Sequence, residues 1–208
     1  MIRILLVDDH PVVRFGIRHI LVDGLKDVSI GEASDAAQAA VSLLRSEWDV
    51  VVLDVSLPGM SGIDILKNIR RERPELPVLM LSMHPAAQFE RRALAAGATG
   101  YISKDTAPTE LVKAIEEIRR GRRYVGGKGE PTGGAAQAPN VLHDLLSDRE
   151  YQVLRLIGSG KMVSEIASSL GLSVKTVSTY RMRLLEKMGM HSNAELMRYA
   201  IENRLVDS

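Results

Sequence analysis

The chain has 208 residues, 45% hydrophobic and 25% charged, a composition of ordinary globular protein that is long enough for one large or two small domains. The absence of Cys excludes disulfides, thiolate metal sites and Cys nucleophiles together, and the five His (10, 19, 84, 143, 191) show no paired ligand spacing, so zinc is not expected. No stretch approaches about 20 uninterrupted apolar residues, the opening MIRILLVDDHP is too short and too acidic for a signal peptide, and a net charge of +1 leaves nucleic-acid binding to local clustering; a soluble, cytoplasmic protein with no membrane association is expected.

Over residues 1–122, short apolar runs alternate with helical periodicity. IRILLV (2–7), VSIGEA (28–33), DVVVLD (49–54), PVLMLS (77–82) and TGYIS (99–103) read as strands. Stretches such as DAAQAAVSLLRS (35–46) and GIDILKNIRRER (62–73) carry apolar residues near i, i+3, i+4 and i+7 with charges opposite. Five strands, each with a helix after it, predict a (βα)5 parallel sheet of flavodoxin-like order 2-1-3-4-5, covered on both faces. Ligands in such sheets bind beyond the carboxyl ends of the strands, at the switch point.

The segment VVVLDVSLPGMSG (50–62) places an ionisable Asp54 at the end of an apolar strand. An unpartnered carboxylate inside that core would cost several kcal/mol, so Asp54 belongs at the strand exit. Asp8 and Asp9 end the first strand, Ser82 the fourth, and Lys104 follows the fifth. In the predicted order strands one and three are neighbours, which converges three carboxylates on one point. Like charges disfavour joint ionisation, so the cluster asks for a cation. Mg²⁺ fits, because it prefers octahedral oxygen ligands and also holds phosphate oxygens. One carboxylate then acts as nucleophile towards a phosphoryl group, with the Lys104 ammonium and the Ser82 hydroxyl contacting its oxygens. A phosphatase of the haloacid-dehalogenase type also uses an Asp at a strand end. That family needs a second Asp two residues later, where this chain has Ser56; an enzyme is not expected.

Asp8-Asp9, Asp54 followed by VSLPGMSG, Ser82 and YISK together resemble the receiver domain of two-component response regulators over residues 1–122. The resemblance implies that Asp54 is the phosphoacceptor and that a partner histidine kinase supplies the phosphoryl group. It further implies that Asp9, Asp54 and the Ser56 backbone carbonyl ligate Mg²⁺, with Asp8 acting through water. Pro58 and Gly62 match the turn after the acceptor. Tyr101 matches the family's switch aromatic, whose ring turns inward as Ser82 moves towards the phosphoryl group. Ser56 and His84 flank the pocket, where control of water access would set the lifetime of the acyl phosphate.

Residues 123–142 are rich in Gly, Pro and Ala and read as a flexible linker to a second domain over 143–208. There, Ser147 with Glu150 forms an S-x-x-E capping box, and Gly158 and Gly160 stop the helix it opens. Helical segments 163–171 and 174–188 follow, joined by a tight turn at Gly171-Leu172-Ser173, and a last helix spans about 193–203. Helix, tight turn and basic second helix is the arrangement that enters the DNA major groove. On residues 174–188, Val177, Leu184 and Met188 form an inward stripe widened by Val174 and Leu185. Lys175, Thr179, Met182 and Arg183 face away from it, with Thr176, Ser178, Tyr180 and Arg181 on the flanks. Lys and Arg neutralise phosphates, Thr and Ser donate to phosphate or base edges, and Met182 suits a thymine methyl.

Residues 145–206 resemble the LuxR-type helix-turn-helix, so the two halves together resemble a NarL/FixJ-class transcriptional regulator. By position, the resemblance implies that Ser178, Thr179 and Met182 face bases while Thr176, Tyr180 and Lys187 lie near the backbone. It also implies a homodimer, formed on phosphorylation, that reads inverted-repeat half-sites. Val163-Ser164 stand where relatives often carry Asn-Lys, and Ser178 and Tyr180 stand where Lys and His are frequent. With fewer cations, binding should lean more on dimerisation. The other reading left open is a helical module that docks a protein instead of DNA.

Overall fold

The apolar runs form parallel strands because each is buried on both faces, which a run of Val, Leu and Ile tolerates and a polar alternation does not. The protein is described by a computed structural model over residues 1–57, 60–82, 87–126 and 142–206. The strands β1 (Ile2–Val7), β2 (Val28–Ala33), β3 (Val50–Asp54), β4 (Val78–Ser82) and β5 (Gly100–Ser103) match the five apolar runs to within a residue. Helices α1 (Pro11–Gly24), α2 (Ala36–Arg45), α3 (Gly62–Glu72), α4 (Ala87–Ala95) and α5 (Ala107–Arg119) alternate with them.

Among the described residues the sheet has six parallel strands in the order β2-β1-β3-β4-β5-β6. The addition to the expected order is β6 (Tyr124–Val125), which lies where the linker was expected to begin. Without it, β5 would be an edge with unpaired backbone groups. Tyr124 N donates to Thr99 O at 3.2 Å and Gly126 N to Tyr101 O at 2.9 Å, so an aromatic and a β-branched residue close that edge. The rest of the expected linker, from residue 127 to 141, lies outside the described residues.

One face of the sheet packs Ile4, Leu6, Val50, Val52, Leu79, Leu81 and Ile102 against Ile17 and Leu21 of α1 and Leu111, Ile115 and Ile118 of α5. Alternation turns Leu5, Val51, Leu53 and Met80, all buried, to the other face. Arg70 of α3 ties the entrances of β4 and β5 together, donating from its guanidinium to Leu76 O and Gly97 O, both at 2.6 Å. Gly62, the first residue of α3, lies so close to the exit of β3 that a Cβ there would overlap the Asp54 carbonyl. Its N–H donates to Val55 O at 2.9 Å, and the buried Ser61 caps the same helix by accepting from Ile63 N. The loop after Asp54 is therefore clamped at its far end.

The chain divides into two compact units, residues 1–133 and 134–208. In the second, a 3₁₀ turn (Leu142–Leu145) leads into α6 (Asp148–Gly158), α7 (Val163–Ser169), α8 (Val174–Met188) and α9 (Asn193–Glu202). The expected capping box is present: Glu150 N donates to Ser147 Oγ and Ser147 N to Glu150 Oε2. The chain leaves α6 through Ser159 and a left-handed Gly160. Tyr151, Leu154, Ile157, Ile166, Val177, Leu184, Leu196 and Leu205 make the core. Between α7 and α8, Gly171 takes a positive φ of 61° and Leu172 N returns to Ala167 O at 2.9 Å. Ser173 then caps α8 through Thr176 N at 3.1 Å. No helix of the described residues is long and apolar enough to cross a membrane.

Candidate functional site

At the carboxyl end of β3, Asp54 is buried, and so is Asp8 immediately after neighbouring β1. Two buried like charges require compensation, and Lys104 provides it. Its Nζ lies 2.7 Å from Asp8 Oδ2 and 2.8 Å from Asp54 Oδ2. The backbone brings it there, since Lys104 N donates to Ser82 O at 2.7 Å and so carries the chain from β5 across the end of β4. The remaining oxygens are held by main-chain donors, Ser56 N to Asp54 Oδ1 at 3.2 Å and His10 N to Asp8 Oδ1 at 2.8 Å.

Burial pushes the Asp54 carboxyl up to about 6; Lys104 opposes the shift, Asp8 adds to it, and the Ser56 N–H opposes it. For Lys104 burial works to lower the ammonium's pKa, but Asp54 and Asp8 outweigh it and the net direction is upward. The lysine is thus firmly charged, while Asp54 is a carboxylate whose ionisation costs more than usual. A further positive charge at the site would lower that cost.

The donor set tests whether a divalent cation fits. Asp8, Asp9, His10 and Asp54 each offer a ligand atom, all within 4.8 Å of one another. Asp9 Oδ1 is shielded from solvent and lies 2.9 Å from His10 Nδ1. Three carboxylates gathered this closely suit a hard cation such as Mg²⁺. His10 is the member that spacing of the histidines did not reveal. Its adjacency to Asp8-Asp9 at a strand end was the available signal.

The other expected residues are placed individually. Ser82 is buried at the end of β4, Ser56 is half-buried, and Tyr101 is buried. Pro58 and His84 lie outside the described residues.

In the second unit α8 buries Val177, Leu184 and Met188 as the periodicity requires, with Leu185 half-buried. Val174 does not join them and is 53% exposed, because as the first residue of the helix it extends past the helices packed below. Lys175, Ser178 and Arg183 are exposed, Met182 is 61% exposed, and Thr176, Thr179 and Tyr180 are half-buried. Two of the helix's cations are engaged within the unit. Lys187 Nζ pairs with Glu150 Oε2 at 2.7 Å, and Arg181 Nε donates to Asn193 Oδ1 at 2.5 Å. Glu150 therefore serves the cap of α6 and the end of α8 at once.

A doubly covered parallel sheet with a lysine-bridged acidic pocket, joined to a helix-turn-helix unit, defines the class: a two-component response regulator with a LuxR-type DNA-binding domain. The family models agree, a response regulator receiver domain matching residues 4–116 and the bacterial regulatory proteins of the luxR family matching residues 144–200. The chain belongs to this family, of the NarL/FixJ class, which comprises transcription factors and not enzymes. It is 37% identical over 214 residues to the response regulator UvrY of Escherichia coli K12, covering 100% of this chain and 97% of that protein. To the response regulator GacA of Pseudomonas syringae pv. syringae it is 35% identical, covering 100% and 99%. Among solved structures it is similar to RcsB of Salmonella enterica serovar Typhimurium bound to promoter rprA in the presence of the phosphomimetic BeF3-, with a TM-score of 0.62, 29% identity, and coverage of 96% of this chain and 98% of that one.

Proposed function

We propose that Asp54 accepts a phosphoryl group from a partner histidine kinase in a Mg²⁺-dependent reaction, and that this modification promotes dimerisation and DNA binding by the second unit. The observation that carries the reading is the Lys104 ammonium held between Asp8 and Asp54 at the ends of adjacent strands. An ionised Asp54 carboxylate attacks phosphorus, the bond to the donor breaks, and an acyl phosphate forms. Lys104 keeps Asp54 ionised beforehand and afterwards pairs with the phosphoryl oxygens. Asp9, Asp54 and the Ser56 carbonyl would ligate Mg²⁺, with Asp8 contributing through water. When bound, Mg²⁺ supplies positive charge against the carboxylates and the incoming phosphoryl oxygens. Ser82 offers its hydroxyl to the phosphoryl group, and with Tyr101 it transmits the change to the β4–β5 end of the sheet.

In the second unit α8 enters the major groove. Ser178, Thr179 and Met182 face bases, while Lys175, Thr176, Tyr180 and Arg183 lie along the phosphates; Lys187, expected beside them, is held by Glu150 at 2.7 Å. RcsB dimers bound to DNA support a dimer as the DNA-bound form, and a two-fold dimer reads inverted half-sites. The chain acts in the cytoplasm, where that DNA is. Without phosphorylation the receiver holds the DNA-binding unit inactive, and modification releases it.

Incubation with acetyl phosphate and Mg²⁺, followed by intact mass, should add one phosphoryl group to the wild-type chain and none to Asp54→Asn. A stable adduct on the variant would displace Asp54 from its role. DNA affinity of the full chain should rise with the phosphodonor towards that of a 141–208 fragment. Equal, unchanged affinities would remove the inhibitory step.

A further inference from the structure

We infer that Arg14 of α1 is a positioning residue of the acidic pocket: by holding the main-chain carbonyl of Asp8 it orients Asp9, and so raises the affinity for Mg²⁺ from outside the ligand set. The inference rests on the reading of that pocket as a Mg²⁺ site.

The need arises where β1 ends. Its pairing with β2 continues as far as Asp8 N, which donates to Ala33 O at 3.1 Å. Beyond that bond the chain turns into α1, and the carbonyl of the buried Asp8 requires a donor from elsewhere. The helix supplies it by reaching back six positions: Arg14 Nη1 donates to Asp8 O at 2.6 Å. That oxygen belongs to the planar peptide group that carries the Cα atoms of both Asp8 and Asp9. Fixing its direction fixes the plane from which both side chains leave. The Asp8 carboxylate has holds of its own, Lys104 Nζ at 2.7 Å and His10 N at 2.8 Å. The Asp9 carboxylate meets the ring of His10, which is 63% exposed, so the peptide plane is its firm anchor.

Arg14 is held in turn. Its Nε donates to Glu32 Oε2 at 3.4 Å, and Arg18 Nη1 donates to Glu32 Oε1 at 3.3 Å. Glu32 is the next-to-last residue of β2, so one guanidinium joins the ends of β1 and β2 to α1. The planar fork suits this task because its donors leave in fixed directions, one to a carboxylate and one to a carbonyl. Tying α1 to β2 would need only the pair with Glu32, which Arg18 already makes. The bond to the Asp8 carbonyl is the shorter of the two that Arg14 makes, and it is the one directed at the pocket. Partners of this outer kind, which orient a ligand without touching the metal, typically account for about 10–100-fold in metal affinity.

The test measures Mg²⁺ binding to the full-length chain by isothermal titration calorimetry, together with the rate of phosphoryl uptake from acetyl phosphate as Mg²⁺ is varied. Arg14→Met keeps an aliphatic stem and removes the donors. It should raise the Kd for Mg²⁺ about tenfold, the low end for loss of an outer partner, and its deficit in phosphoryl uptake should shrink as Mg²⁺ approaches saturation. Arg14→Lys, with one charged head on a flexible stem, should fall between Arg14→Met and wild type, and it carries the test where Arg14→Met does not fold. Arg18→Met removes the other arm on Glu32 and should leave the Kd unchanged. Wild-type Mg²⁺ affinity in Arg14→Met and Arg14→Lys, or an equal loss in Arg18→Met, overturns the positioning role and leaves a tie between α1 and β2, while the pocket stands. A wild-type chain that takes up no Mg²⁺ overturns the pocket and the inference together.

Discussion

Replacing Asp54 by Asn should make the receiver unit more stable at neutral pH in the absence of divalent ions. Folding raises the Asp54 carboxyl from 3.8 to about 6. Between those values the folded state holds a proton that the unfolded state has released. Stability from this group therefore falls as pH rises through the window and levels off above it. At about 1.4 kcal/mol per pH unit, the displacement corresponds to about 3 kcal/mol. Asn keeps the shape and removes the ionisation, but it also takes one carboxylate from Lys104, so about 3 kcal/mol is the upper bound of the gain. The chain has one Trp, Trp48, in the first unit, where its Nε1 donates to Ser42 O at 3.0 Å. Its fluorescence during urea unfolding in chelator reports that unit alone, even in the full chain. The stability difference between Asp54→Asn and wild type should grow from near zero at about pH 4 to its plateau near pH 7. A difference that stays constant across that range refutes the account of a carboxylate held ionised against its surroundings.

Saturating Mg²⁺ should raise wild-type stability by about 2.7 kcal/mol at a hundredfold excess over Kd, since it binds the folded state alone, and Asp9→Asn should lose most of that gain in the same Trp48 assay. Gly62→Ala forces a methyl against the Asp54 carbonyl and should destabilise the first unit by about 1–3 kcal/mol, measured by urea midpoint. Burial works to raise the Glu150 pKa, but the Lys187 ammonium and the Ser147 donors outweigh it and the net direction is downward. The stability Glu150 confers is thus present above its ordinary range and lost as pH falls through its folded value. Glu150→Gln should flatten this acid limb in amide exchange of α6 and α8. Arg183→Ala should reduce the salt slope of DNA binding by about one, read from affinity at several salt concentrations, and an unchanged slope would take Arg183 off the phosphates.

The strands were legible because burial on both faces leaves an unbroken apolar signature. The acidic pocket was legible because Asp8, Asp54 and Lys104 interrupt or follow those runs at one end of the sheet. What the sequence concealed were pairings between distant positions. Lys187 meets Glu150 across 37 positions and Arg181 meets Asn193 across 12, so a helical wheel counts both as outward cations. Tyr124 and Val125 are too short a run to stand out beside a Gly-rich stretch, and only the open edge of β5 makes them a strand. Val174 fits the apolar periodicity of α8, yet periodicity carries no information on where the supporting helices end. Spacing among histidines carries no signal for His10, because its companions are the carboxylates of Asp8 and Asp9.

With Lys187 paired to Glu150 and Arg181 hydrogen-bonded to Asn193, the cations of α8 left with no such partner among the described residues are Lys175 and Arg183. Displacing only a few counterions leaves a lone copy with a shallow grip on the double helix. If two copies engage together, the second engagement is intramolecular and the grip is multiplied, not added. Promoter occupancy then climbs with roughly the square of the active concentration, so a modest change in upstream signal becomes a sharp threshold at the gene.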